Sequence, residues 1–222
     1  MIPKTIHYFW DGPLPNYSYQ HSWKIHCPDY EIKHWNCNNL PFDVDKYKNL
    51  KTIIDAKKYS ILSDFVRHWA LLMYGGFYLD CDVELFQSLD SLRGYKSFTC
   101  IEGEPIAGNS AVCGAEPGHF FQAIALDDFF EFDFKKLLAG EYSNIYPPEI
   151  LVSPCLVTKI IKEYKQGKNL DHTDLSEIKH YSDGFVTLPK QYFYPYNWNE
   201  TFTPDCIKPE TIGIHWWKKS WA

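Results

Sequence analysis

Arginine is scarce in this sequence. Among 22 basic residues only Arg67 and Arg93 are arginines. Lysine is the default cation, so an arginine marks a place where a planar hydrogen-bonding fork matters. Nothing approaches the ~18 uninterrupted apolar residues of a membrane span. The opening MIPKTIHYFWDGP has no basic segment followed by an apolar core, so no secretory leader is expected. The seven cysteines are odd in number and irregular in spacing, and no C-x-x-C occurs. That pattern reads as reduced thiols in a cytosolic protein, and argues against a disulfide framework or a zinc site. A formal charge of −6 argues against a broad nucleic-acid surface, and no nucleic-acid partner is expected.

What is present suits one globular domain over residues 1–222, because 45% hydrophobic residues supply a sizeable core. Aromatics reach 18%, for core packing or for flat surfaces that stack on bases or sugars. KTIHYFW reads as a first strand whose end delivers Trp10 and Asp11 to the DGPLP turn. NYSYQHSWKIHC reads as a helix capped by Asn16 and stopped by Pro28, and YEIKHWN as a second strand, which makes a βαβ start. A long helix is expected over 53–74, with Ile61, Phe65, Trp69 and Leu72 as its buried stripe and Gly75 and Gly76 ending it. FYLD follows as a buried strand. Further strands are expected near KSFTCIE, GNSAVCGA, FVTLP and TIGIHWW, with one helix started by EPGHFFQAIALDDFF and another over SPCLVTKIIKEYKQ. The pattern predicts an α/β domain with a mixed sheet flanked by helices.

The stretch YGGFYLDCDVE sends Asp80 and Asp82 off the carboxyl end of a buried strand. Two like charges there are costly unless neutralised, and a divalent cation with oxygen ligands is the natural partner. Ligands of open α/β sheets sit beyond strand carboxyl ends. By itself D-x-D fits a solvated turn, a calcium-holding carbohydrate-binding module, a haloacid-dehalogenase-type phosphohydrolase or a sugar-nucleotide transferase. The phosphohydrolase pattern wants Thr or Val where this chain has Glu84. In the preceding helix Asp64 and Arg67 share a face with Ser60. That pair reads either as a surface ion pair or as a carboxylate and fork that hold sugar hydroxyls.

Taken in order, IPKTIHYFWDG, SDFVRHWALLMYGGFYLDCDVE, NSAVCGAEPGH and GIHWWKKSW resemble glycosyltransferase family 32, the D-x-D sugar transferases that include bacterial capsule and O-antigen enzymes and have the clostridial glucosylating toxins as distant relatives. The middle block is the specific part. The resemblance implies a GT-A nucleotide-diphospho-sugar fold. It implies that Trp10 stacks on the nucleotide base and that Tyr78 lies against the nucleoside. The alternatives are a hydrophobic staple for Trp10 and ordinary strand packing for Tyr78. Asp64 and Arg67 would bind donor-sugar hydroxyls, Asp80 would face ribose and metal, and Asp82 would ligate the metal. Asn109 would contact sugar or acceptor.

In the tail, the resemblance points to His215 as a nitrogen ligand, Ser220 as an addition or alternative, and Trp221 as an indole donor to the diphosphate. Lys218 and Lys219 would screen phosphate. Trp216, Trp217 and the lysines also read as a membrane-interface patch. Carboxylates with one imidazole suit Mn²⁺ better than Mg²⁺, the alternative cofactor. The implied function is retaining transfer of a hexose from a nucleotide-sugar donor, UDP-hexose favoured over GDP-mannose, to a glycan or lipid-linked oligosaccharide acceptor in surface polysaccharide synthesis. The expected place is the cytoplasm, at the inner face of the membrane. Glu102, Glu104 and Glu149 qualify as a nucleophile by residue type alone, and same-face attack is favoured.

Overall fold

Period-two burial organises the sheet. In the first strand, β1 (Thr5–Phe9), Ile6 and Tyr8 pack into one core and Phe9 into another. The same split recurs in β3 (Gly76–Leu79), where Phe77 and Leu79 face the first core and Tyr78 the second. A sheet covered on both faces follows, as parallel strands require. The computed structural model describes residues 1–13, 19–102, 109–139, 141, 177–181 and 183–218. The expected helix around 153–166, Cys155, Glu104, Glu149, Lys219, Ser220 and Trp221 lie outside the described residues.

The remaining strands are β2 (Glu31–Trp35), β4 (Val83–Leu85), β5 (Ser97–Cys100), β6 (Asn109–Ala115), β7 (Lys179–His180), β8 (Phe185–Leu188) and β9 (Gly213–His215). A seven-stranded sheet runs β2-β1-β3-β6-β5-β8-β7, and β4 pairs with β9 in a separate ribbon. The β1–β2, β1–β3 and β5–β8 pairs are parallel, and the β3–β6, β5–β6 and β7–β8 pairs antiparallel. The mixed sheet is therefore as expected. The carboxyl ends of β1, β3 and β5 share one edge with the amino end of β6.

The first helix, α1 (Gln20–His26), starts after Tyr19, which caps it without a side-chain bond; Asn16, the expected cap, lies outside the described residues. One local expectation is corrected. The helix expected over 53–74 is two helices, α2 (Lys48–Asp55) and α3 (Tyr59–Tyr74). A Schellman closure separates them: Lys57 N–H reaches the Ile54 carbonyl and Lys58 N–H the Ile53 carbonyl, with Lys57 left-handed at φ 55°. Periodicity continued across the break, so the sequence pattern hid it.

α3 is buried nearly all round. Ile61 and Phe65 of the expected stripe sit in the core, Trp69 and Leu72 are half-buried, and Asp64, Arg67 and His68 are buried as well. One flank packs on α4 (Phe120–Glu131), where the His68 ring and the Gln122 carboxamide oxygen are 2.7 Å apart. A short α5 (Phe134–Leu138) closes the same core. Gly75 ends α3 at φ 65° and Gly76 opens β3 at φ 105°. A Cβ on Gly76 would stand 2.6 Å from the Thr5 carbonyl, so only glycine lets β3 enter beside β1. That hairpin-like reversal runs α3 back along β3. It sets the first half of α3 against the carboxyl end of β3.

Candidate active site

The site forms where β3 ends. Asp80 extends the ladder by one bond, its N–H donating to the Ala111 carbonyl at 2.9 Å. The chain then turns, closed by Val83 N–H on the Asp80 carbonyl at 3.0 Å. This turn presents Asp80 and Asp82 together and starts β4.

Asp80 is met from α3. The Arg67 guanidinium donates through Nη1 to Asp64 Oδ1 at 2.6 Å and through Nη2 to Asp80 Oδ1 at 2.8 Å. Arg67 is 3% exposed, so this is no surface pair. The planar fork sends a separate nitrogen to each acid, which the single nitrogen of a lysine cannot do. Burial works against the Arg67 charge, but Asp80 and Asp64 outweigh it and keep it protonated. Burial raises the Asp80 carboxyl above its ordinary range despite the attraction of Arg67. Beneath the fork lies the Tyr78 ring, with the guanidinium carbon 4.7 Å from its centroid.

Asp82 is met from the far end of the chain. β4 and β9 pair with Val83 opposite His215, which brings His215 Nε2 to 3.2 Å from Asp82 Oδ1. The other carboxylate oxygen accepts the Lys218 main-chain N–H at 2.9 Å, and the Asp82 carbonyl accepts Trp216 N–H at 2.9 Å. Burial pushes the Asp82 carboxyl up, but His215 and these donors outweigh it and hold it below the ordinary range. Burial pulls His215 down, and Asp82 with Asp80 more than restores it, so its affinity for a proton is raised. The outer edge of β4 is satisfied by α1: Trp23 Nε1 donates to the Val83 carbonyl at 2.8 Å, and Ser22 Oγ accepts Leu85 N–H at 2.9 Å.

Ligand atoms of Asp80, Asp82 and His215 all lie within 4.8 Å of one another. With the imidazole neutral, three acids against one guanidinium leave two negative charges, which matches a divalent cation. A metal would compete with a proton for His215. The donor set of two carboxylates and one imidazole fits Mn²⁺.

Of the expected site residues, Asp64, Arg67, Asp80, Asp82 and His215 are brought together. Asn109 opens β6 opposite Cys100, on the same edge. Trp10 follows β1 and is 8% exposed, packed in the core with its indole N–H donating to the Pro13 carbonyl at 2.7 Å. Tyr78 has no exposed surface, and strand packing describes its surroundings. Trp216 and Trp217 are half-buried beside the site: Trp216 Nε1 donates to Glu84 at 2.9 Å and Trp217 Nε1 to the Tyr196 carbonyl at 3.3 Å. Glu102 follows β5, and its charge acts on His215. Sequence reasoning missed Tyr194, whose buried ring stands edge-on to His215 at 5.6 Å. It also missed the Lys218 main-chain donor, because only the side chain of that residue shows in a sequence.

Residues 16–99 match a family described as the glycosyltransferase sugar-binding region containing the DXD motif. Inositol phosphoceramide mannosyltransferase 3 of Schizosaccharomyces pombe is 34% identical over 125 residues, covering 54% of this chain and 35% of that protein. Lactosylceramide 4-alpha-galactosyltransferase of Mus musculus is 28% identical over 170 residues, covering 72% of this chain and 41% of that protein. The chain thus spans well under half the length of these curated relatives. Among solved structures, the PaToxG glycosyltransferase superposes with a TM-score of 0.53 at 14% identity, over 75% of this chain and 71% of that one. The fold is of the GT-A glycosyltransferase type, and residues 16–99 are similar to the D-x-D sugar-binding region of glycosyltransferases.

Proposed function

We propose that this chain, as one domain over 1–222, is a retaining, metal-dependent hexosyltransferase. It takes the sugar of a nucleotide-diphosphate donor, UDP-hexose ahead of GDP-mannose, and passes it to a glycan or lipid-linked oligosaccharide. One observation carries the reading: the Asp64–Arg67–Asp80 chain meets the Asp82–His215 pair at the carboxyl edge of β3. The names of both curated relatives hold a ceramide, which favours a lipid-linked acceptor. Surface polysaccharide synthesis at the cytoplasmic face of a membrane is the proposed setting. No helix among the described residues is long and apolar enough to cross a membrane.

Asp80, Asp82 and His215 would hold Mn²⁺, with Mg²⁺ as the substitute. The ion's chemistry is to offset charge on the departing diphosphate. Asp64 and Arg67 hold the sugar hydroxyls and fix its ring for attack. The acceptor hydroxyl attacks the anomeric carbon on the face the diphosphate leaves. The carbon–oxygen bond to the diphosphate breaks, and the leaving phosphate takes the acceptor proton. Asn109 would read sugar or acceptor, Trp10 would stack on the base, and Ser220 and Trp221, outside the described residues, would add to the metal shell and the diphosphate contacts.

The test is calorimetry of a nucleotide and nucleotide-sugar panel with Mn²⁺ and with EDTA. One nucleotide class should bind, lose its affinity with EDTA, and weaken about tenfold or more in Asp82→Asn, which removes a charged ligand. A folded protein that binds no nucleotide with Mn²⁺ would sink the proposal.

A further inference from the structure

We propose that Tyr78 is a positioning residue that seats Arg67 for the donor sugar and holds the ends of β1 and β3 apart. It does this from beneath the site, without touching the nucleoside. The inference rests on the donor-site reading above and says which part of the donor Tyr78 governs.

The β1–β3 ladder stops at His7 opposite Tyr78. Beyond it the strands part, and Phe9 is left facing β3 without a main-chain partner there. Side chains of β3 and its turn take over. Phe9 N–H donates to the Tyr78 hydroxyl at 3.3 Å, and the Cys81 thiol donates to the Phe9 carbonyl at 3.6 Å. The phenol therefore acts as a spacer between the strand that carries Trp10 and the strand that carries Asp80. The face of the same ring lies under the Arg67 guanidinium at 4.7 Å. A flat aromatic face under a flat cation fixes the plane of the fork. That plane lets Nη1 reach Asp64 while Nη2 reaches Asp80. With no exposed surface, the ring cannot meet a ligand directly.

The two functions of the ring separate by substitution. Tyr78→Phe keeps the face and loses the hydroxyl, while Tyr78→Leu loses both. Nucleoside diphosphate and nucleotide sugar would be titrated separately with Mn²⁺ present. In both variants the loss of the spacer hydroxyl lowers nucleoside diphosphate affinity, so the readout is the ratio of nucleotide-sugar to nucleoside diphosphate affinity. That ratio should fall about thirtyfold in Tyr78→Leu, the size of one desolvated cation–π contact, and stay near wild type in Tyr78→Phe. An unchanged ratio in Tyr78→Leu would overturn the proposal, and so would an equal fall in Tyr78→Phe.

Nuclear magnetic resonance gives a readout that needs no ligand. The Arg67 Nε–H resonance should carry the ring-current shift of Tyr78 in wild type and Tyr78→Phe, and lose it in Tyr78→Leu. Phe9 amide exchange should quicken in Tyr78→Phe. If wild type binds no nucleotide, the donor-site reading fails, and these resonances still decide whether Tyr78 seats Arg67. If Tyr78→Leu does not fold, unaltered Phe9 exchange in Tyr78→Phe overturns the spacer.

Discussion

Asp80 and Asp82 are one residue apart and belong to two differently built halves of one site. Asp80 closes a unit made entirely between positions 64 and 80, by a helix folded back on the next strand. Its counter-charge is a guanidinium, which does not lose its proton. Asp82 closes a unit reaching to Lys218, 136 residues away, through a ribbon of two short strands. Its counter-charge is an imidazole, which can gain or lose a proton. The near half keeps its cation over the ordinary pH range. The far half is where the charge can change, and where the proposed metal would bind.

The sharpest way to break this contrast is Arg67→Met. It strands Asp64 and Asp80 as buried acids and should cost about 3–5 kcal/mol in urea unfolding. Asp82→Asn should cost about 1 kcal/mol, a single hydrogen-bond change. Equal losses would erase the distinction between the halves.

Histidines outside the site sharpen the contrast next. Burial pulls His7 and His68 down to about 4, whereas His215 is raised. His7 is locked neutral between the Gly75 carbonyl at 2.9 Å and the Trp35 indole N–H at 3.1 Å. A depressed folded value means the unfolded chain binds the proton first. Stability from these rings is therefore whole above about pH 6.5 and is lost as pH falls toward 4, by up to about 3 kcal/mol each. Urea midpoints measured from pH 7.5 to 4.5 should fall in wild type and fall less in His68→Leu. A flat wild-type profile would contradict the assignment.

Gly213→Ala aims at the far half alone. Its Cβ would stand 2.5 Å from the Glu84 carbonyl and pry β9 from β4. Stability should drop by about 1–3 kcal/mol, and Mn²⁺ affinity should drop with it, measured by calorimetry. Unaltered metal affinity would detach His215 from the centre. The smallest effect is expected outside both halves, in the turn between α2 and α3, where Lys57→Gly relieves a left-handed lysine and should raise stability by about 1 kcal/mol. No gain in the thermal midpoint would argue against that closure.

The same division decides what the sequence could say. Asp64 and Arg67 lie three apart, and a glycine pair marks the end of their helix, so local spacing put the near half in view but left a surface ion pair equally open. The strand–helix–strand start and the mixed sheet were legible for the same reason. His215 was reached only through a resemblance, because no periodicity ties residue 83 to 215. The Lys57 break escaped notice since the closure uses main-chain bonds and a residue type with no turn signature. Tyr194 gave no signal either, being one aromatic among many. Tyr78 read equally as a nucleoside contact or as strand packing, and the surroundings of its ring depend on how β1 and β3 part.

The β4–β9 ribbon also imposes an order in time. During synthesis Asp82 leaves the ribosome 136 residues before Lys218, a wait of roughly 7–27 s at ordinary elongation rates. Through that interval Val83 and Leu85, fully buried in the finished fold, have α1 on one edge and nothing on the other. A nascent chain would hold the arginine half of the site before the histidine half exists. The open edge of β4 is then a place for a chaperone, or for another nascent chain, to bind first.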